Sequence, residues 1–198
     1  MPDEPCTAMA WKGDTTAIVP CWFDGPEFRL LGPAVVLVPP RNGDSLDPAL
    51  IEKALRDLAG RYRIGEVVMD TKWGEQMASW IRSELDIDVL DRAQTNTMAC
   101  LDYQRFMEGL AQGKLFHSGD AGLTSHAMNA IEQQLSGGDV RFYRPRESRG
   151  APELQDRRVI DALTAAAMVH SQMVAEYTTP KRKMASVVDW DDIDTGDE

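Results

Sequence analysis

Several features are scarce in this 198-residue chain, and each scarcity excludes a class of protein. No stretch approaches 18 uninterrupted apolar residues, so no segment reads as a transmembrane helix. The start, Met1-Pro2-Asp3-Glu4, lacks the basic-then-apolar order of a signal peptide. The three cysteines, Cys6, Cys21 and Cys100, are odd in number and widely spaced, which indicates neither a disulfide framework nor a zinc site. A cytosolic, reduced protein is expected. There is no GxxxxGK[ST] phosphate loop and no GxGxxG, so no ATP or dinucleotide site is readable. There is no GxSxG elbow and no HExxH pair. Basic residues are also few: 21 Lys and Arg stand against 32 Asp and Glu, a formal charge of −11. Taken as a total, that charge argues against a nucleic-acid partner.

The acidity is uneven. Residues 189–198 (DWDDIDTGDE) carry six carboxylates and no base, and without them the formal charge is −5. They follow a short basic stretch at 180–183. Residues 179–198 are expected to be a disordered, solvated tail and residues 1–178 a single domain.

The first third reads as strands at 6–11, 15–23 and 28–38, the last interrupted by Gly32-Pro33. Asp24-Gly25 is a hairpin signal, and a three-stranded antiparallel meander is expected. The middle changes period. Ser45 or Asp47 caps a helix beginning at Pro48, with Leu50, Ile51, Ala54, Leu55 and Leu58 at helical spacing. A buried strand at 64–69 ends at Asp70. A helix at 75–85, a strand at 87–90 and a helix at 97–112 follow. That alternation implies parallel strands with crossover helices. A helix near 123–135, a strand at 140–143, an exposed loop at 144–152 and a long helix from about 152 to 177 complete the chain. This order is that of an α/β, RNase H-like fold: a mixed sheet of five or more strands flanked by helices, closed by a long C-terminal helix.

Two aspartates stand out. Asp70 ends an apolar strand, where an open α/β sheet places its ligands, although it could equally cap the next helix. Asp161 lies in RRVIDALTAAAM, among apolar neighbours, where a carboxylate is costly unless paired, for instance with Arg157, or metal-bound. Two carboxylates on different elements suit Mg²⁺ or Mn²⁺. His117, His126 and His170 read as capping or surface residues rather than ligands. Arg141, Arg144, Arg146, Arg149, Arg157 and Arg158 cluster between 141 and 158, with Phe142 and Tyr143 interleaved. They suit phosphate-backbone contact, and equally a solvated face paired internally with acids.

These residues resemble the nuclease domain of the large terminase subunit of tailed bacteriophages, particularly those of actinobacterial hosts. The carrying segments are WKGDTTAIVPCWF (11–23), VVMDTKWGEQMASWI (67–81), DRAQTNTMACLDYQRFMEGL (91–110), HSGDAGLTSHAMNAI (117–131) and QDRRVIDALTAAAMV (155–169). The resemblance implies a Mg²⁺- or Mn²⁺-dependent endonuclease that cuts concatemeric viral DNA by two-metal hydrolysis in the cytoplasm of an infected bacterium. It also implies an ATPase motor domain, a small terminase subunit and a portal as partners. Asp70 matches the second metal acid of the family and Asp161 the third. The family's first strand usually reads GVDxxWKxDTTA, and here Ala8 stands where the metal aspartate is expected. Asp14 matches a second, turn-located aspartate of that pattern. The alanine could mark a disabled site, a naturally degenerate one, or a site completed by Asp14 or Asp156. Lys72 and Glu75 are accessory candidates. The other readings of the chain are a catalytically incompetent DNA-gripping or portal-docking module and a resolvase-like nuclease. The absent phosphate loop implies an excised domain or a separately encoded one.

Overall fold

The computed structural model describes residues 6–11, 15–25, 27–40, 44–145 and 159–178. The candidates Asp14, Arg146, Arg149, Asp156, Arg157 and Arg158 and the expected tail at 179–198 lie outside these residues.

Strands β1 (Cys6–Trp11), β2 (Thr16–Asp24), β3 (Phe28–Leu31) and β4 (Val35–Leu37) open the chain. Helix α1 (Pro48–Ala59), strand β5 (Glu66–Met69), helix α2 (Thr71–Trp80) and a π-helical turn (Ile81–Leu85) lead to β6 (Asp88–Asp91). Helix α3 (Asn96–Ala111), β7 (Leu115–His117), α4 (Ala121–Asn129), the hairpin β8 (Ile131–Gln134) and β9 (Val140–Tyr143), and α5 (Asp161–Thr178) follow. The sheet order is β6-β5-β1-β2-β3-β7, with β4 also paired to β2. β1, β5 and β6 are parallel, β2 is antiparallel to β1 and β3, and β7 is parallel to β3.

Side chains alternate across the sheet with period 2. Ala8, Ala17, Val19, Cys21 and Val68 face a core shared with Ala162, Leu163, Ala165, Ala166 and Val169 of α5 and Phe106 of α3. Met9, Ile18, Val67 and Met69 face the other way, against Ile51, Leu55 and Leu58 of α1, Met77 of α2 and Ile81 of the π-helical turn. The helix α1 forms as the sequence predicts: Asp47 accepts from the Ala49 N–H at 2.9 Å, and Pro48 opens the first turn.

Four expectations are corrected. The strand expected over 28–38 is two strands. β3 pairs with Cys21–Asp24 and β4 with Thr16–Ile18, so the break at Gly32 lets one strand be followed by two partners. A Cβ on Gly32 would lie 2.8 Å from the Trp22 ring and 2.9 Å from Pro20, so only glycine allows this approach. The helix expected near 123–135 ends at Asn129, because residues 131–134 pair with β9 through a turn at Gly137 and Gly138, both at positive φ. The second helix starts four residues early, at Thr71, because Asp70 caps it. The final helix begins at Asp161; Val159 and Ile160 before it are not helical. Strand β7 had no signal in the sequence: three residues, two of them exposed, are too few to show a period.

Gly32→Ala should lower unfolding stability by about 1–3 kcal/mol, because the added methyl must displace Trp22 or Pro20. Urea titration measures this, and an unchanged midpoint would show that the packing yields without cost.

Candidate functional site

At the end of β5 the chain turns at Asp70, in an extended conformation (φ −79°, ψ 100°). Its Oδ1 accepts from the Lys72 N–H at 3.2 Å, and its Oδ2 accepts from the Gln94 N–H at 3.2 Å. The capping role that the sequence left open is therefore real. Two hydrogen bonds do not exhaust a carboxylate, which has about four lone-pair sites, so it can also bind a cation.

The Gln94 loop is itself anchored. The Arg92 N–H donates to the Met69 carbonyl at 2.9 Å. The Arg92 guanidinium pairs with buried Asp102 of α3 and donates to the Ser171 hydroxyl of α5 at 3.0 Å. Gln94 in turn reaches the Met168 sulfur of α5 at 3.6 Å. Beside it, the Asp91 carboxylate accepts from the Thr71 N–H at 3.0 Å, and Thr71's hydroxyl and amide hold that acid below its ordinary pKa. Asp70 thus sits on a loop fixed to two helices.

Asp161 is the first residue of α5, half-buried, and not enclosed within its apolar face as the sequence suggested. Its carboxylate accepts a hydrogen bond from the Thr15 hydroxyl. The helix start is held from α4. The Ala162 N–H donates to His126 Nδ1 at 2.8 Å, and the Asn129 amide donates to the Val159 carbonyl at 3.1 Å. His126 therefore carries its proton on Nε2 and is neutral. Burial pushes its pKa below the ordinary value, partly opposed by the Asp120 charge. The sequence admitted a capping role for His126, but could not identify which helix it caps, because 36 residues separate it from Ala162.

The two aspartates share one end of the sheet. β1 runs parallel to β5, with Met9 opposite Met69 and Ala8 opposite Val68. β1 ends at Trp11, opposite Thr16, so Thr15 and its partner Asp161 stand at the end where Asp70 stands. Ala8 lies on the side covered by α5, two positions along and one strand across from Asp70, about 8 Å between Cα atoms by ordinary sheet spacing. It is fully buried.

The other candidates are dispersed. Lys72 and Glu75 are exposed on the first turns of α2. Arg141 donates to Gln133 Oε1 at 2.9 and 2.8 Å and to Asn96 Oδ1 at 2.6 Å, and lies 5.3 Å from the Tyr143 ring centre. Asn96 is two residues past Gln94, so this arginine borders the Asp70 loop. Arg144 is half-buried just after β9. His117 is exposed and its Nδ1 accepts from the Gly119 N–H at 3.1 Å. His170 is a correction: it is neither cap nor surface residue but 1% exposed inside the α3–α5 interface.

Among the described residues no three His, Cys, Asp or Glu side chains converge as a metal-binding group. Asp70 and Asp161 are the candidate carboxylates at this end of the sheet. Mg²⁺ usually takes one or two carboxylates and fills its remaining positions with water and substrate phosphate. Two carboxylates could serve one hard cation, and among the described residues no third joins them.

This sheet, with its antiparallel β2, its parallel β1, β5 and β6 and its closing helix, is the RNase H-like fold. No protein-family model matches the chain, and no curated protein matches it. Solved structures do. The large terminase of bacteriophage HK97 superposes with a TM-score of 0.67 at 12% identity, over 87% of this chain and 40% of that one. The large terminase nuclease of thermophilic phage G20c with bound magnesium gives 0.61 at 14% identity, over 87% of this chain and 83% of that one. The nuclease domain of the Thermus phage P74-26 large terminase gives 0.58 at 13% identity, over 87% and 81%. The G20c domain is also solved with cobalt and with zinc. At these identities the likeness establishes a shared fold, that of the terminase nuclease domains. The chain spans 40% of the HK97 protein it matches. No helix among the described residues is long and apolar enough to cross a membrane.

Protonating His126 removes the acceptor for the Ala162 N–H. Its folded pKa lies below the unfolded value of about 6.5, so the unfolded chain binds more protons as pH falls below that value. Stability from this hydrogen bond is full above about pH 6.5 and is lost as pH falls through the folded pKa. Glu66, pushed up to about 7 by burial and by Glu176 and Asp88, has the opposite slope over the same range. The histidine contribution is therefore read as a difference. Thermal unfolding of His126→Asn, which keeps an acceptor that cannot titrate, should fall less steeply on acidification than the wild type. Parallel curves would contradict the assignment. His126→Ala should cost about 1–3 kcal/mol at pH 7 through the unpaired buried N–H.

Proposed function

We propose that this chain is the nuclease domain of a phage packaging terminase in which Asp70 and Asp161 hold one Mg²⁺ or Mn²⁺ against the DNA backbone, and in which Ala8 leaves cutting strongly impaired. The observation that supports this reading is the placement of both carboxylates at one end of the sheet beside the alanine. Such a cation would neutralise charge developing on a phosphodiester and activate water for attack. The chain's own groups do the positioning. The Lys72 and Gln94 amides orient the Asp70 carboxylate, and the Thr15 hydroxyl orients that of Asp161. The Ala8 methyl offers no oxygen to a cation, so this position would contribute nothing to holding a second one. Arg141, Arg144, Arg146, Arg149, Arg157 and Arg158 supply the positive charge that meets the duplex backbone. In this reading the ATPase motor, the small terminase subunit and the portal are partners, and the site of action is the cytoplasm of an infected bacterium.

Ala8 also favours a second reading. A buried alanine in the core shared with Ala17, Ala162 and Ala166 suits a domain that grips DNA or docks on the portal without cutting. Cleavage of supercoiled plasmid with Mn²⁺ separates the two. Ala8→Asp should raise the rate by about 100-fold or more, because it restores several kcal/mol of transition-state stabilisation. Asp70→Asn in that background should abolish the gain. A wild-type rate equal to that of Ala8→Asp would contradict the impairment. No cutting by either, with Mn²⁺ affinity unaffected by Asp70→Asn, would remove the catalytic reading and leave the gripping module.

Neutralising Arg144, Arg146 and Arg149 together should weaken duplex binding across sequences and reduce the salt slope by roughly one for each phosphate that is no longer neutralised. Fluorescence anisotropy across a salt series measures both, and unchanged affinity would refute the assignment.

A further inference from the structure

A half-open cleft of about 240 Å³ lies between α3, α5 and the β3–β7 edge, lined by Glu27, Arg29, Arg105, Glu108, Lys114 and His170 among others. It is distinct from the candidate metal site: His170 is nine residues along α5 from Asp161, about 13 Å at the helical rise. We propose that this cleft binds a phosphate group carried as a monoester.

Three cationic side chains line it. Arg29 is 7% exposed. Arg105 is half-buried, with Nη1 held by the Ser171 carbonyl at 2.9 Å and its hydroxyl at 3.1 Å, which fixes the guanidinium in place. Lys114 is half-buried and 3.5 Å from Glu27. The two carboxylates of the lining, Glu27 and Glu108, belong to exposed residues, and each has a partner: Lys114 for Glu27 and Gln104 for Glu108. The lining is therefore net positive in a chain of charge −11.

His170 narrows the ligand class. It is 1% exposed, and its Nε2 lies 3.1 Å from the Arg105 carbonyl. A carbonyl only accepts, so Nε2 carries the proton and Nδ1 presents a lone pair. That Nδ1 is buried and has no hydrogen-bond partner. Burial and the Arg29 and Arg105 charges hold the imidazole down at about 4, so it is neutral when the cleft is empty. Gly109 makes room for the ring: a Cβ there would lie 2.7 Å from Nε2.

An anion that satisfies both the cations and a bare Nδ1 must bring a proton. A phosphate monoester exchanges its second proton near pH 6, so one proton can lie between its oxygen and Nδ1. Sulfate has the same shape and charge range but no such proton, and a carboxylate is fully ionised at neutral pH. The volume is below that of pockets enclosing whole drug-sized ligands, which suits a phosphate and the first atoms of its ester. A free nucleotide and a 5′-phosphorylated DNA end share this chemistry.

Isothermal titration calorimetry on the full chain tests the site, with EDTA present so that no cation at Asp70 and Asp161 contributes. Inorganic phosphate and dTMP should bind saturably, at least about 10-fold more tightly than sulfate, a difference of 1.4 kcal/mol. Thymidine should not bind. His170→Gln should erase the preference for phosphate over sulfate. Lys114→Gln should weaken phosphate several-fold, and Val174→Phe, which fills the cleft, should abolish binding; these two carry the test if the buried His170 variant does not fold. Sulfate equal to phosphate, or phosphate binding unchanged by both Lys114→Gln and Val174→Phe, would overturn the proposal. So would no saturation up to about 20 mM. Tighter binding of a 5′-phosphorylated duplex than of its 5′-hydroxyl twin marks a DNA end as the source; equal binding of the two marks the free nucleotide.

Discussion

The close seating of α5 on the sheet is the constraint on which the rest of the molecule depends. Ala8 and Ala17 on the sheet meet Ala162, Ala165 and Ala166 on the helix, all essentially inaccessible to solvent. Small side chains on both sides let backbone approach backbone. That seating sets the position of Asp161, which begins the helix. It also sets that of Ser171, which anchors Arg92 and through it the loop donating to Asp70. Ala8 consequently has two descriptions at once. It is a tile in this floor and, in the proposed function, the position where a metal-holding aspartate would stand.

The supports behind the two carboxylates are unequal in kind. Asp70 rests on backbone amides backed by a buried ion pair, Arg92 with Asp102. Such a pair adds little net stability against an apolar replacement, but losing one partner strands a charge, so it holds geometry rather than supplying energy. Asp161 rests on a hydroxyl and on a helix start capped by a neutral histidine. The second support depends on His126 staying neutral, which ties the geometry at α5 to the protonation of that histidine.

Much of this was legible in the sequence where signals are local. Asp47-Pro48 announced α1, and the apolar run to Met69 placed Asp70 at a strand end. The strand–helix alternation implied the parallel arrangement and so the fold. What escaped depends on residues far apart in the chain. His126 caps a helix 36 residues away, and Arg92, Asp102 and Ser171 meet across three elements. No period or spacing encodes such meetings. The helix expected over 123–135 stops short for the same reason: Ile131 and Leu135 continue a helical spacing, yet pairing with β9 captures the segment. The start of α5 was misplaced because apolar residues at 159 and 160 extend the pattern beyond the backbone that follows it.

The net charge of −11 does not describe the surface a duplex would meet, since six of the acids lie in residues 189–198 and six of the fifteen arginines lie between 141 and 158. In the proposed function Asp70 and Asp161 hold a single cation beside Ala8. Paramagnetic line broadening by substoichiometric Mn²⁺ in an amide NMR spectrum would locate that ion. Selective loss of the Lys72, Gln94 and Ala162 amides is expected, with Asp70→Asn abolishing the effect. Broadening confined to residues 189–198, with those three amides untouched, would contradict it.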